Sequence, residues 1–479
     1  MKVLSVTAEL SPYCKTGGLG DVAAAFPDAF AQCSADFEFT RLVPFYRDAK
    51  NNLLRSGKGV HLLPVAGRLE LAGRTWNLGF WQLSDSRDVR TVFVSAEGLF
   101  DTEGLYGSVN IGGVEYGEEV RFAVLNLAAL TFGNELVQTK VDIFHVHDWH
   151  AGLLPWLRKR EGFAAHRQTP VVMTIHNLAY QGWFEAGCLP EVATKEEGPL
   201  HFLKLGIEHS DVVTTVSPQY AREIQTPEFG YGLEGILKEK GVTGILNGVE
   251  LDAWDPQKDT FIKHHFSAAN LSPKQSCKES LLSACGLDDA SKPLLGVVAR
   301  FDYQKGLDLL AQTIPLLSEQ GCNLVILGSG SADLEETYRE LQIRYSEFVY
   351  THIGFDNALA HQIFAGCDMI LVPSRFEPCG LTQLYAMRYG GLPVVTPVGG
   401  LLDTVVEVAV SDSPPQGSGF VAKSVDAQAF LQAMVRGIHL FRSNPNEWKQ
   451  VQMQVMQSDF SWEKSIPEYI RCYNALFQS

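Results

Sequence analysis

Short apolar runs separated by amphipathic stretches recur from one end of this chain to the other, and that alternation narrows the fold more than any other feature. "VLSVTA", "TRLVP", "TVFVSA", "VDIFHVH", "PVVMTIH" and "DVVTTVS" read as strands in the first half, with helical stretches such as "EEVRFAVLNLAALTF" and "GLLPWLRKREGF" between some of them. The second half repeats the theme with "LLGVVAR", "NLVILG", "FVYTHIG", "DMILVPS" and "LPVVTPV", interleaved with "DLLAQTIPLLSEQ" and "LTQLYAMRYG". Repeated βα units build parallel, doubly wound sheets that bind ligands beyond the carboxyl ends of their strands. Between Gly57 and Leu83 the period changes to hairpin-like alternation, which predicts an antiparallel insertion. The polar stretch "NGVELDAWDPQKDTFIKHHFSAANLSPKQS" separates the halves. The expected architecture is α/β: two Rossmann-like domains over 1–247 and 248–458 facing a central cleft, with helix 459–479 packing back on the first.

With 479 residues, 46% of them hydrophobic and 20% charged, the chain has ample apolar material for two such domains. A formal net charge of −16 argues against nucleic acid or an anionic membrane as partner, so any phosphate must be held by local cations. No apolar run approaches the ~18 residues of a membrane span, and the N-terminus reads as a strand rather than a signal, so a cytoplasmic location is expected. The nine cysteines form no C-x-x-C pair and read as inert thiols.

Four stretches carry chemistry. "KTGGLGDV", Lys15 to Val22, places a cation and glycines where a strand turns into a helix, a setting that suits phosphate. Gly18, Gly20 and Ala23 fit a relaxed dinucleotide fingerprint, but "TRLVPFYRD" has no carboxylate at its strand tip, which argues against a nicotinamide or flavin cofactor. "ARFDYQKG" puts Arg300 and Lys305 at a strand's carboxyl end, where two cations can hold a diphosphate and stabilise charge as it leaves. "SRFEPCGLTQ" sets Glu377 beside a helix start that forms a second anion seat. "HVHDWHAG" and "TIHNLAYQG" supply His145, His147, His150 and His176; metal would need three or four of them to converge, and core packing is expected for at least one. Asp148, Trp149, His176 and Asn177 suit sugar recognition, with acceptors, donors and one aromatic face. Asp-x-Asp, by which many sugar-nucleotide enzymes hold a divalent metal, is absent, so Arg and Lys would do the metal's work. Cys14 beside Lys15 and Cys379 at the helix mouth occupy settings that lower a thiol's pKa.

Together "KTGGLGDV", "HDWHAG", "TIHNLAYQG", "VSPQYAREI", "GILNGV", "ARFDYQKGLDLL" and "VPSRFEPCGLTQLYAMRYG" resemble bacterial glycogen synthases and plant starch synthases, in family order over essentially the whole chain. The resemblance implies the GT-B fold and a retaining hexosyltransferase. The enzyme would move glucose from ADP-glucose to the non-reducing end of an α-1,4-glucan such as glycogen or a malto-oligosaccharide. No cofactor is implied. By motif, Lys15, Gly17, Gly18 and Asp21 would approach the donor phosphates or ribose, and His176 would contact the transferred glucose. Arg300 and Lys305 would bind the diphosphate, and Glu377 would face the glucose ring. Cys379, Gly380, Leu381 and Thr382 would cradle the donor at the helix start, and Asn247 would line the cleft. Phe355 departs from the pattern, standing where relatives often have Tyr beside the adenine, while Tyr385 stands where many GT-B enzymes carry a second Glu, as in bacterial glycogen synthases. Same-fold transfer from UDP-glucose or to another acceptor, and non-catalytic glucan binding, are the competing readings.

Overall fold

In the computed structural model, which describes residues 1–84, 89–102, 104–251, 253–409 and 416–478, these apolar runs form the strands of two largely parallel sheets. The chain divides into unit 1, Met1–Gly248 with Trp462–Ser479, and unit 2, Val249–Ser461.

Unit 1 has in chain order β1 (Lys2–Val6), β2 (Glu38–Pro44), β3 (Val60–Leu62), β4 (Gly67–Leu71), β5 (Arg74–Leu83) and β6 (Arg90–Ala96). There follow the hairpin β7 (Val109–Ile111) and β8 (Val114–Tyr116), then β9 (Ile143–His147) and β10 (Val171–Ile175). The short pair β11 (Trp183–Phe184) and β12 (Leu200–His201) precedes β13 (Val212–Thr215) and β14 (Thr243–Gly244). The main sheet runs β14-β13-β10-β9-β1-β2-β6-β5-β3, and every neighbouring pair from β14 to β6 is parallel. β9 and β10 are buried at every position, as strands covered on both faces must be. The Gly57–Leu83 insertion joins the same sheet: β5 pairs antiparallel with β6, β3 and β4, and its alternating Trp76, Leu78 and Phe80 point inward.

"GLLPWLRKREGF" does not form the single helix its pattern predicts. Only Leu154–Leu157 is α-helical, and a 3-10 turn covers Glu161–His166. The break has a cause. Arg158 is buried and donates to the Thr169 carbonyl and, at 2.7 Å, to Asp211 Oδ2, while Arg160 turns extended and pairs with Glu197.

The helix Trp462–Ala475 lies on the helix Gly18–Cys33 within unit 1. Phe26 and Phe30 pack edge-on or stacked against Trp462, Tyr469 and Tyr473, with Phe30 and Tyr473 stacked at 5.3 Å. Gly248 meets the start of this helix: a Cβ there would lie 2.5 Å from Trp462 Cα.

Unit 2 has β15 (Leu294–Val298), β16 (Asn323–Gly328), β17 (Val349–Ile353), β18 (Met369–Val372), β19 (Leu392–Val395) and β20 (Phe420–Val421). The order is β17-β16-β15-β18-β19-β20, parallel throughout. In both sheets the chain fills one side of its first strand and then crosses to the other. The two crossing points, β1/β9 and β15/β18, are where a doubly wound sheet leaves a crevice at its carboxyl edge. The loops that follow those strands carry the residues singled out above.

Candidate active site

In unit 2 the loop after β15 meets the loop after β18. Gly306 (φ 62°) permits the approach, since a Cβ there would lie 2.0 Å from the Pro373 carbonyl oxygen. Lys305 Nζ donates to Glu377 Oε2 at 2.7 Å and Oε1 at 2.9 Å, and the Ser374 hydroxyl donates to Oε2 at 2.7 Å. Glu377 is buried, and Lys305 keeps a fifth of its side chain exposed. Arg300 is half-exposed beside Asp302 at 3.3 Å, and Asp302 also accepts the Lys305 backbone N–H. Motif reading brought Lys305 and Glu377 to one site but gave no hint that they neutralise each other.

It also missed what clasps the two loops together. Arg375 makes a two-pronged ion pair with Asp308 at 2.6 Å and 2.6 Å, donates to the Tyr303 carbonyl and covers the Tyr303 ring. Its backbone N–H donates to the Gln304 carbonyl. The pairing raises the Arg375 guanidinium above its ordinary range and lowers the Asp308 carboxyl. Beyond Glu377, Gly380 adopts φ 74° and Gln383 donates to the Cys379 and Gly380 carbonyls, setting the turn that opens the helix Thr382–Arg388 after Leu381. Cys379 is 4% exposed and sits against the backbone of Gly400. Phe355, after β17, is 85% exposed, a free aromatic face. Tyr385 is no substitute for a second carboxylate: its ring stacks on Trp254 at 3.9 Å.

In unit 1 the Lys15–Gly18 stretch is exposed, and Lys15 pairs with Asp21 at 2.7 Å. Its geometry is set by a residue the motif does not contain. Buried Glu9 accepts the backbone N–H groups of Thr16 (2.8 Å) and Gly17 (3.2 Å), the Thr16 hydroxyl and the Tyr106 hydroxyl. The Gly17 amide is therefore committed to a carboxylate, and what Gly17 offers a ligand is open space where a Cβ would be. Gly20 is required for packing, since a Cβ would lie 2.5 Å from Lys15 Cβ. Asn247 is buried with its Oδ1 unpaired.

After β9 and β10, Asp148 (φ 55°) accepts the backbone N–H groups of His176 at 2.6 Å and Asn177 at 3.3 Å. Burial pushes its carboxyl up to about 7, against those two donors. Asp148 thus shapes the His176–Asn177 turn. The expected aromatic face of Trp149 is corrected. Its ring is buried against Phe122, Phe184 and Gly182, where a Cβ would lie 2.2 Å from the indole, so no sugar can stack on it. Among the histidines, His145 is core: it contacts Thr174, Phe26 and the hydroxyl of Tyr473. His150 stacks on Tyr106 and is pushed down to about 3 by burial. No group of three or more His, Cys, Asp or Glu among the described residues is arranged to hold a metal. Cys14 needs correction too: it is 2% exposed, and burial raises its thiol far more than neighbouring Lys15 could lower it.

Two doubly wound units, with cations and a carboxylate gathered at a switch point, define a GT-B glycosyltransferase. Residues 2–239 match the starch synthase catalytic domain, and residues 292–439 match glycosyl transferases group 1. A glycogen synthase from Yersinia pestis (strain Pestoides F) is 39% identical over 99% of this chain and 100% of its own length. One from Myxococcus xanthus (strain DK1622) is 39% identical over 100% of this chain and 99% of its own. The catalytic domain of starch synthase IV from Arabidopsis thaliana, bound to ADP and acarbose, superposes with a TM-score of 0.88 at 28% identity, covering 100% and 99% of the two chains. Sucrose-phosphate synthase from Thermosynechococcus elongatus shares the fold, with a TM-score of 0.59 at 17% identity over 99% of each chain. The chain belongs to the glycogen synthase and starch synthase family.

Proposed function

We propose that this protein elongates an α-1,4-glucan by transferring glucose from ADP-glucose to its non-reducing end with retention of configuration. The observation that carries the reading is the Lys305–Glu377 pair at the β15/β18 switch point, with Arg300 on the same loop. A departing diphosphate needs cations, and a sugar ring gaining positive charge needs a carboxylate near it. Full-length likeness to glycogen synthases, and to a starch synthase that binds ADP and acarbose, supports the choice of donor and acceptor.

In the proposed reaction the acceptor O4 attacks C1 from the face ADP leaves. The C1–O4 bond forms as the C1–phosphate oxygen bond breaks, and the O4 proton passes to the departing phosphate. No carboxylate acts as covalent nucleophile, in contrast to the paired carboxylates of retaining hydrolases. Arg300 and Lys305 stabilise the diphosphate, and Lys15 adds a further cation. Glu377 faces the ring, His176 contacts the transferred glucose, and Phe355 stacks on the adenine. Gly380, Leu381 and Thr382 border the donor, as does Asn247. The transfer needs no divalent metal, and the protein acts in the cytoplasm; no helix among the described residues is long and apolar enough to cross a membrane.

The test is one assay of released nucleotide with glycogen and either ADP-glucose or UDP-glucose, in the presence and absence of EDTA. Glycogen-dependent ADP release that EDTA leaves unchanged is expected. Preference for UDP-glucose, or release independent of glycogen, would overturn the proposal.

A further inference from the structure

Three buried side chains from three adjacent parallel segments form a row near the carboxyl edge of the unit 1 sheet. Ser5 Oγ, from β1, is 3.1 Å from His147 Nε2, from β9; His147 Nδ1 is 3.0 Å from Nε2 of His176, which follows β10. Ser5 and His147 are each 1% exposed and His176 is 8% exposed. Burial pushes His147 down to about 3 and His176 well below its ordinary range, so both rings are neutral near pH 7. A neutral imidazole has one donor nitrogen and one acceptor nitrogen. In such a row, the group at one end sets the direction for all.

Ser5 is that group. Its hydroxyl carries one proton, and among the described residues its hydrogen-bond partner is His147 Nε2. Were the ring to donate to Ser5, the hydroxyl proton would be buried without an acceptor, at the full desolvation cost of an unmade bond. Ser5 therefore donates and His147 Nε2 accepts. The His147 proton lies on Nδ1 and is donated to His176 Nε2. The His176 proton is left on Nδ1, which makes no hydrogen bond among the described residues. The Asp148 carboxyl meanwhile anchors the His176 backbone N–H at 2.6 Å, so the residue is held at its backbone and at ring Nε2.

We propose that Ser5 and His147 are positioning residues that hold His176 as the Nδ1–H tautomer, so that it presents a hydrogen-bond donor to an oxygen of the transferred sugar. The functional clause rests on the reading of His176 as a sugar contact. The tautomer itself rests only on the row. With the opposite polarity, His176 would offer a lone pair and could accept only from a hydroxyl.

The test uses full-length protein labelled with 15N-histidine, whose long-range proton–nitrogen spectra distinguish the two tautomers without substrate. His176 is expected as Nδ1–H in the unaltered protein. Ser5→Ala should release that preference and lower kcat about tenfold, the value of one well-placed hydrogen bond. Ser5→Thr, which restores the hydroxyl, should restore both readouts. His147→Asn keeps an amide N–H in place of Nδ1–H and should retain the tautomer, while His147→Leu should lose it. That pair decides the matter if Ser5→Ala fails to fold. His176 protonated on Nε2, or a tautomer and kcat unmoved in Ser5→Ala and His147→Leu, would overturn the proposal. Undiminished turnover in His176→Ala would overturn the functional clause alone, with the spectra still deciding the tautomer.

Discussion

Glu377→Gln should weaken catalysis and strengthen ADP binding at the same time. Lys305 Nζ lies 2.7 Å and 2.9 Å from the two Glu377 oxygens, so the ammonium proposed to meet a diphosphate is already satisfied by a carboxylate. At an effective dielectric near 20, a unit charge pair ~2.8 Å apart attracts by roughly 6 kcal/mol before desolvation. Lys305 retains 20% exposure and water competes for it, so the net share that Glu377 withholds from an incoming anion is about 1.5–2 kcal/mol. Glutamine keeps the shape, still accepts from Nζ, and can donate to Ser374 Oγ. ADP should therefore bind roughly 10–30-fold tighter by calorimetry in low salt, and the gain should shrink as salt rises. Turnover should fall about 10²–10³-fold, as when a preorganised charge-stabilising group is lost. Lys305→Ala, by contrast, should lose both ADP affinity and turnover. Unchanged or weaker ADP binding in Glu377→Gln would refute the competition between carboxylate and diphosphate for Lys305.

Three further outcomes are expected. In Asp148→Asn the side-chain carbonyl still accepts from His176 and Asn177, but no charge is buried. The native carboxyl titrates near 7 against an ordinary 3.8, so the folded state holds its proton more tightly and stability falls as pH rises between those values. Denaturant unfolding should show the variant equal to the native protein near pH 4 and more stable by about 2–4 kcal/mol at pH 8; a gain that does not grow with pH would sink the assignment. Arg375→Lys cannot reproduce the fork on Asp308, so the melting temperature should drop by about 2–4 °C and turnover by about tenfold, with no change in either measure counting against the clasp. Lys15→Ala should lower turnover about 10²-fold yet change ADP affinity less than about threefold, since unit 2 carries Arg300 and Lys305; a loss of affinity equal to that of Lys305→Ala would make Lys15 an ordinary ground-state ligand.

The central parallel strands were legible because they are covered on both faces, which leaves a largely apolar run of strand length, and β5 was legible because its buried and exposed residues alternate. Lys305 and Glu377 were legible because glycine and proline mark the turns that present them. What was not legible depends on contacts that only the folded chain makes. Glu9 reaches the Lys15 loop and also Tyr106, and nothing local to "KTGG" announces either. Arg375 appears in "SRFEPCG" as one more cation, and only its contact with Asp308 shows that it clasps two loops. Trp149 and Cys14 misled for the same reason. Residue type and neighbours in the chain say what a side chain can do, while burial decides whether anything can reach it. The broken helix at Arg158 is the backbone version of that lesson, since a buried cation took its partners from Thr169 and Asp211.

The helix Trp462–Ala475 has a consequence for how the protein is made. Phe26, Phe30 and His145 are among the residues translated before unit 2, yet Trp462, Tyr469 and Tyr473, which cover them, follow it. Unit 1 therefore leaves the ribosome with one wall of its core missing and an aromatic surface open to solvent while all of Val249–Ser461 is synthesised. The core of unit 2 is made only of its own residues, whereas that of unit 1 is completed by residues that follow unit 2 in the chain. A chain truncated before residue 462 would carry every residue of the second unit's core beside a first unit whose Phe26 and Phe30 lack their aromatic cover.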